Sequence, residues 1–182
     1  MDADQDVIRR VVNGDVESFR LLVRRYEQPL HCFIRNLVPD AHDGEDVAQE
    51  VFLAAYRRLA SYDPARGAFS TWLYTIARNK CLNVLKKRRP VALDPLPEMP
   101  VERVPDVGSI EAEWFCRLDA ALDALPFAQK TAFILAEIQD LSLEEISQIE
   151  GVPVGTVKSR LGRAKEKLRF LLRSAEQSDA RP

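Results

Sequence analysis

The chain has few glycines, few aromatic residues and no long apolar run. Only 7 of its 182 residues are glycine, and 8% are aromatic. Because glycine is scarce while leucine, alanine, arginine and glutamate are abundant, we expect an all-α fold. No apolar segment approaches the ~20 residues that cross a bilayer, and the first six residues are acidic, unlike a secretory leader. We therefore expect a cytoplasmic protein.

Cysteine clusters and catalytic motifs are also lacking. Cys32, Cys81 and Cys116 are far apart, with no CxxC pair and only His31 and His42 as companions, so a zinc site has little support. We expect buried or idle thiols, no metal and no cofactor. A phosphate-binding glycine loop and a nucleophile elbow are missing too, which predicts a protein that is not an enzyme.

Charge of one sign is not in excess. The 26 Lys and Arg residues are balanced by 28 Asp and Glu, for a formal net charge of -2. Any nucleic-acid contact must therefore come from local basic patches that acidic segments offset elsewhere.

Apolar residues at helical spacing predict four helices in the first ninety residues. Segments 19–26 and 30–37 share one spacing, but Pro29 should kink or restart the helix between them. A third helix fits 43–59 and a fourth fits 70–87. We expect the first domain to comprise residues 1–90.

A proline-rich, acidic segment follows and lacks any amphipathic period, so we interpret 91–109 as a flexible linker. Helical spacing then resumes, with a break at Pro126, and predicts a second small domain over 110–175. Residues 176–182 are expected to form a disordered tail. The predicted architecture is thus two small helical domains joined by an acidic, Pro-rich linker.

Residues 142–168 carry the most informative pattern. Ser142 and Glu145 form an S-x-x-E capping box that begins a helix. Gly151 supplies a left-handed turn, and Pro153 suits the start of the next helix. Two short helices joined by a tight glycine turn indicate a helix-turn-helix. Its predicted buried stripes are Leu143, Ile146 and Ile149 on the first helix and Val154, Val157, Leu161, Ala164 and Leu168 on the second.

The opposite face of the second helix is basic and partly small, which predicts a DNA-facing surface. Arg163 and Lys158 could donate to guanine edges, and Ser159 could read either base type. Thr156, Arg160 and Lys165 are better placed for phosphates, although which residues read bases stays open. A basic, solvated helix face is the alternative, but the capping box, turn glycine and matched apolar stripes favour DNA binding.

A second candidate surface follows the helix over 69–89, which carries many cations, no acid and several aromatic residues. Unpaired bases stack on aromatic rings while cations hold the backbone. Tyr62, Trp72 and Tyr74 are candidates for stacking, and Trp72 could equally be a core residue. The candidate polar and basic contacts on this helix are Asn79, Lys80 and Asn83.

These segments resemble the extracytoplasmic-function group of the sigma-70 family over nearly the whole chain. Residues 45–52 and 69–79 resemble the first conserved domain of that family. Segments 125–126, 141–146 and 152–161 resemble the second. The resemblance implies an RNA polymerase sigma factor that binds core polymerase, recognises the minus-35 and minus-10 promoter elements and promotes transcription initiation.

The resemblance also implies roles for particular residues of the first domain. Asp46, Gln49 and Glu50 would dock onto the clamp helices of the largest polymerase subunit. The loop before the fourth helix would capture a flipped base of the minus-10 element, which points to residues 62–69, with Asn79 nearby. A loop lined by Tyr62, Arg66 and Gly67 could form such a pocket.

For the second domain, the resemblance implies a recognition helix in the minus-35 major groove, resting on the flap of the second large subunit. Gly162 departs from the bulkier residue often found there, which leaves a base contact at that position in doubt. The acidic linker would run through a basic polymerase channel, and a dedicated anti-sigma factor would clamp the domains.

Two other interpretations remain at this point. A stand-alone helix-turn-helix regulator would contain 142–168 but leaves the first domain unexplained, and such regulators usually bind palindromes as dimers. A helical interaction protein with incidental basic faces is the other. A compact form held by the acidic linker and the basic patches is a further hypothesis, which predicts that salt would open it.

Overall fold

The computed structural model describes residues 3–88 and 110–179, and no strand occurs in these two ranges. The fold is all-α. The helices are α1 (Ala3–Val12), α2 (Phe19–Leu37), α3 (Ala41–Arg58), α4 (Phe69–Arg88), α5 (Ile110–Asp123), α6 (Phe127–Glu137), α7 (Leu143–Glu150) and α8 (Val154–Asp179). We call α1–α4 the N-terminal unit and α5–α8 the C-terminal unit. The predicted linker, 91–109, lies outside the described residues.

Local chemistry explains several helix boundaries. Asp40 caps α3 by accepting a hydrogen bond from the backbone N–H of Asp43. Pro126 precedes α6, and its carbonyl accepts from the N–H groups of Gln129 and Lys130. The predicted break at Pro126 is therefore present, with α5 on one side and α6 on the other.

Pro29 does not break the second helix, contrary to the sequence prediction. It lies inside α2, which is continuous from Phe19 to Leu37. A proline removes one backbone hydrogen bond, but the burial of Leu30 and Phe33 directly after it offsets that loss. Packing thus overrides the local signal.

The first helix, α1, was not among the predicted helices. Val7, Ile8 and Val11 form its buried stripe. Asp4 anchors its start, because the buried Asp4 carboxylate accepts hydrogen bonds from the Arg25 guanidinium and the Tyr26 hydroxyl of α2. Residues 3–6 of the acidic N-terminal segment are therefore part of the folded N-terminal unit.

The core of the N-terminal unit lies where α1, α2, α3 and α4 meet. Its fully buried large side chains include Leu22, Phe33, Ile34, Val51, Phe69 and Leu73. Phe33 packs edge-on against Tyr74 of α4, with ring centroids 5.1 Å apart. This packing fixes the orientation of α4 and hence which of its residues face outward.

The C-terminal unit contains a separate, smaller cluster between α5 and α8. It consists of Ala121, Leu122, Leu125, Ala164 and Leu168. Helix α8 continues to Asp179, so it extends four residues into the segment predicted to be a disordered tail, while 180–182 lie outside the described residues. Within the described ranges, no helix is both long and apolar enough to span a membrane.

The two units are not separate bodies. The main cluster of buried apolar residues runs from α1–α4 into the C-terminal unit and includes Ile134, Leu135, Ile146, Ile149 and Val157. Helix α7 packs on α4, and α6 packs on α2. The helix-turn-helix is therefore held against the N-terminal unit.

Candidate nucleic-acid and protein interfaces

The predicted helix-turn-helix is confirmed by its local geometry. The Ser142 hydroxyl accepts from the Glu145 N–H, and the Glu145 carboxylate accepts from the Ser142 N–H, which completes the capping box. Gly151 adopts the left-handed conformation at φ 65°. The Ser147 hydroxyl donates to the Val152 carbonyl across the turn at 2.6 Å. These contacts fix the angle between α7 and α8.

The buried stripe of α8 is shorter than predicted. Val157, Ala164 and Leu168 are buried, and Leu161 is half-buried. Val154 is exposed, because it is the first residue of α8 and has no turn before it to cover its side chain. On α7, Ile146 and Ile149 are buried and Leu143 is half-buried.

The outward face of α8 presents a basic surface. Lys158, Ser159 and Arg163 are exposed, and Thr156 is half-buried. The Ser159 hydroxyl donates to the Thr156 carbonyl one turn back, at 2.9 Å. Gly162 leaves open space around its Cα, because a Cβ added there would meet nothing within 4 Å. The face therefore combines exposed cations with an unobstructed surface at Gly162.

Two predicted phosphate contacts, Arg160 and Lys165, are held by carboxylates of the same unit. Arg160 donates to Glu150, whose side chain is fully buried, and the other carboxylate oxygen of Glu150 is buried without a hydrogen-bond partner. Lys165 pairs with Glu137 at 2.8 Å. Arg160 thus stabilises the helix-turn-helix, and its contact with phosphate stays a prediction.

An aromatic cluster supports the loop before α4. The ring of Tyr62 lies 5.7 Å from those of Phe69 and Trp72, centroid to centroid. The Tyr62 hydroxyl donates to the Gly67 carbonyl at 3.0 Å, which closes the loop. Gly67 has φ 150°, a conformation that favours glycine. Arg66, at the tip of the loop, is exposed.

The aromatic candidates for stacking are not equally available. Phe69 is buried and forms the base of the cluster. Tyr62 and Trp72 are half-buried, so each packs on the core while part of its side chain stays accessible to solvent. Tyr74 is only 4% exposed, which rules it out as a stacking platform in this arrangement. Its ring packs on Phe33 instead.

The polar candidates on α4 face outward. Asn79 and Asn83 are exposed one turn apart. Lys80 is half-buried and pairs with Glu50 of α3 at 2.5 Å. This ion pair directly joins Lys80, which is predicted to contact nucleic acid, to Glu50, which is predicted to contact a protein partner.

The acidic face of α3 is exposed, as the sequence pattern indicates. Asp46, Gln49 and Glu50 point to solvent, while Val47 and Val51 are buried on the opposite side. The hydrogen bond and positive charge of Lys80 hold the pKa of the Glu50 carboxyl below its usual value. Glu50 therefore stays ionised, and the face keeps its negative charge at neutral pH.

The structure describes the side chains of two cysteines, Cys32 and Cys81. Among residues 3–88 and 110–179, no group of three or more His, Cys, Asp or Glu could hold a metal ion. Cys81 is buried and Cys32 is half-buried, and both are free thiols. Burial raises the pKa of the Cys81 thiol to about 12, so it is a neutral, inert packing group.

Sequence reasoning missed the contacts that two residues, Gln139 and Arg78, make between the units. Gln139 accepts from the Tyr74 hydroxyl and donates to the Pro29 carbonyl. Arg78 lies over the ring of Phe127, 6.0 Å from its centroid. These contacts join the two units, and no local pattern in the sequence could have found them, because their partners lie far apart along the chain.

Comparisons with known proteins match both units. The family model described as Sigma-70 region 2 matches residues 22–91, and the model described as Sigma-70, region 4 matches residues 117–168. The chain is 36% identical to the RNA polymerase sigma-H factor of Pseudomonas aeruginosa over 179 residues, covering 91% of each chain. It is 37% identical to the ECF RNA polymerase sigma-E factor of Escherichia coli, covering 90% of this chain and 91% of that one.

The fold has a match among solved structures as well. The structure of CnrH in complex with the cytosolic domain of CnrY aligns with a TM-score of 0.75 and 27% sequence identity. The alignment covers 95% of this chain and 99% of that one. The likeness therefore extends over both units.

Proposed function

Because the chain belongs to the extracytoplasmic-function group of the sigma-70 family, we propose a division of work among its exposed surfaces. It is an RNA polymerase sigma factor, which acts with core polymerase and promoter DNA in transcription initiation. The observation that carries the proposal is that one chain presents an exposed basic recognition helix, an aromatic loop beside exposed amides and an exposed acidic face. Each surface suits a different partner.

The C-terminal unit reads the minus-35 element. Lys158, Ser159 and Arg163 contact base edges in the major groove, because they are exposed on the outward face of α8. Thr156, Arg160 and Lys165 contact phosphates at its margins. Lys165 exchanges Glu137 for the DNA backbone, whereas Arg160 keeps Glu150 and donates from the guanidinium N–H groups that this carboxylate does not use. The same unit rests on the flap of the polymerase. Its proposed extent is 110–175.

The N-terminal unit, with a proposed extent of 1–90, captures the minus-10 element once its bases unstack. Tyr62 and Trp72 are partly accessible aromatic side chains beside the loop that carries Arg66, where unstacked bases can stack on them. Asn79 and Asn83 lie exposed along α4 and read base edges. Lys80 supplies a cation beside them. Binding of unstacked bases favours strand opening, and the polymerase performs the chemistry, so this chain has no enzymatic activity of its own.

The acidic face of α3 docks on the clamp helices of the largest polymerase subunit. Asp46, Gln49 and Glu50 present charge and amide groups to solvent while the buried side of α3 holds the helix in place. A basic coiled coil is the electrostatic complement of such a face. Family membership supports two further proposals, a dedicated anti-sigma factor that competes for these surfaces and a location in the cytoplasm, where polymerase acts.

A stand-alone helix-turn-helix regulator is not supported by the comparisons, because the region 2 model matches 22–91, outside the helix-turn-helix. The docking proposal is tested by equilibrium titration of core polymerase with the full chain and with a combined Asp46→Ala and Gln49→Ala variant. We expect affinity to fall at least tenfold. Glu27→Ala, which removes an exposed acid from α2, is the matched control and should bind like the wild type. Equal affinity of all three proteins would contradict the docking site.

A further inference from the structure

Glu50 and Lys80 lie on two surfaces for which we propose different partners. Glu50 lies on the acidic face of α3, the proposed docking face for core polymerase. Lys80 lies on α4, among the residues proposed to contact the minus-10 strand. Their side chains nevertheless form an ion pair, with 2.5 Å between Lys80 Nζ and Glu50 Oε2. A carboxylate of the protein-docking surface therefore contacts a cation of the nucleic-acid surface.

The packing of α3 on α4 brings the two side chains within reach of each other. Val51 follows Glu50 on α3, Cys81 follows Lys80 on α4, and both of these neighbours are completely buried. Because buried neighbours fix both backbones, the ion pair forms without the ordering of any further backbone. The pair is therefore a fixed feature of the N-terminal unit.

The two partners differ in their exposure to solvent. The Lys80 side chain is 28% exposed, whereas the Glu50 side chain is 63% exposed. A partly buried ammonium group has lost part of its hydration and is stabilised by a nearby anion, while an exposed carboxylate is hydrated with or without its partner. Separation of the pair therefore favours the binding of another anion by Lys80, and a DNA phosphate is such an anion.

A second cation of α4 acts on the same carboxylate. The hydrogen bond and charge of Lys80 are the main causes that hold the pKa of the Glu50 carboxyl below its usual value, and the charge of Lys87 adds to them. Lys87 is exposed and follows Lys80 by seven residues, which is about two helical turns. Glu50 therefore offsets positive charge along the part of α4 that we propose faces the minus-10 strand.

Docking on a basic partner changes this balance of charge. When a lysine or arginine of the partner approaches the Glu50 carboxylate, it repels the Lys80 ammonium group and competes for the same oxygens. Ion pairs with one exposed member change an equilibrium constant by a factor of about 1.5 to 5, so the pair is weak enough to be exchanged. Approach of the partner therefore makes Lys80 available to a phosphate.

We propose that Glu50 is a positioning residue that couples the two surfaces: in the free chain it keeps Lys80 from DNA, and docking on core polymerase releases Lys80 to a backbone phosphate of the minus-10 strand. The coupling rests on the proposed function of both surfaces. By thermodynamic linkage, DNA bound to Lys80 strengthens docking by the same factor by which docking strengthens DNA binding.

Binding of single-stranded DNA by the free chain tests the first part of the proposal. The probe is a fluorescent oligothymidylate strand, because a phosphate contact does not depend on the base sequence. Glu50→Gln keeps the shape of the side chain and removes its charge, so we expect about threefold tighter binding. The released lysine adds one phosphate contact, which should steepen the dependence of log Kd on log salt concentration by about 0.7. A purely structural role of the pair would leave that slope unchanged.

Two further substitutions serve as controls. Glu45→Gln removes the same charge from another exposed position of α3, so its affinity and salt dependence should stay close to the wild-type values. Lys80→Met removes the cation and keeps most of the aliphatic chain. In that background Glu50→Gln should no longer change the slope, because the two substitutions act through one ion pair. Equal slopes for Glu50→Gln and Glu45→Gln would overturn the proposal.

Binding of the same strand by the complex with core polymerase tests the coupling. We expect the gain in DNA affinity from free chain to complex to be about threefold larger for the wild type than for Glu50→Gln, in which Lys80 is released from the start. Contacts between core polymerase and the strand are common to both complexes and cancel in this ratio. Equal gains would overturn the coupling and leave the sigma function standing. If no protein formed a complex with core polymerase, that result would count against the proposed function itself and against the coupling with it.

Discussion

Arg160 of α8 donates a hydrogen bond to the fully buried carboxylate of Glu150 on α7. The two helices of the helix-turn-helix are thus joined by a buried ion pair. Because the second oxygen of that carboxylate has no partner, Glu150 depends on Arg160 for compensation of its charge. A cation that the sequence assigns to DNA is also a structural element.

Arg160→Ala should therefore destabilise the protein itself. Removal of one member of a buried pair leaves an uncompensated charge, and we expect a loss of about 3 kcal/mol in the free energy of unfolding, measured with urea. Arg163→Ala, three residues on and exposed, should leave stability within about 0.5 kcal/mol. Equal stability of the two variants would show that the Glu150 pair does not hold the helices together.

Gly151 and Gly162 should respond to alanine in opposite directions. Gly151 has φ 65° and open space around it, so alanine there meets no clash but pays about 1 kcal/mol for the left-handed conformation. Gly162 lies within α8, also in open space, so alanine at this position should stabilise the protein by about 0.5 to 1 kcal/mol. Urea unfolding measures the change in the free energy of unfolding for each variant. If both substitutions changed it in the same direction, the left-handed geometry of the turn at Gly151 would be contradicted.

Alkaline pH should destabilise the fold through Cys81. Its pKa is about 12 in the folded protein against 9.0 for an ordinary thiol, so the folded state retains the proton that the unfolded state loses. The contribution is fully present below pH 9 and is lost as pH rises toward 12, by about 2 kcal/mol at pH 10.5. Burial also raises the pKa of Tyr74, which acts in the same direction.

Cys81→Ala isolates the contribution of the thiol. The variant should lose less stability than the wild type between pH 8.5 and pH 10.5, as measured by urea unfolding at each pH. Val51→Ala truncates another fully buried side chain but removes no titratable group, so it is the matched control and should lose stability with pH in parallel with the wild type. Parallel curves for Cys81→Ala and the wild type would contradict burial of that thiol.

The N-terminal helix should contribute to stability through Asp4. The Asp4 carboxylate is buried and accepts from Arg25 and Tyr26, so Asp4→Ala leaves both donors without this partner. We expect a loss of about 2 kcal/mol in the free energy of unfolding. Asp6→Ala removes an acid that pairs with Arg9 at the surface and should cost less than about 0.5 kcal/mol. A similar loss of unfolding free energy in both variants would show that the contacts of Asp4 with α2 do not hold α1 on the N-terminal unit.

Local chemistry made much of the fold predictable. The capping box of Ser142 and Glu145, the left-handed Gly151 and the exposure of Asp46 and Asn79 all follow from residue types at short spacing. Such signals need only a few neighbouring residues. The helix-turn-helix and the all-α class could therefore be predicted from the sequence.

The features that could not be predicted from the sequence depend on contacts between residues that are far apart along the chain. Pro29 looked like a helix break, yet packing after it holds α2 continuous. Tyr74 looked like a stacking group, but Phe33 and Gln139 bury it. The pairing of Arg160 with Glu150 is set by the angle between two helices, which no spacing rule reveals. Tertiary contacts override local patterns at each of these positions.

The measurement that tests the central claim most directly is run-off transcription with purified core polymerase on a promoter library, with and without this protein. The account predicts transcripts that require the protein and share two spaced elements. Arg163→Ala should relax the sequence preference at the upstream element, and Asn79→Ala should weaken the preference at the downstream element. Both variants should keep their fold. Tight binding to palindromic duplex without any polymerase-dependent initiation would contradict the account.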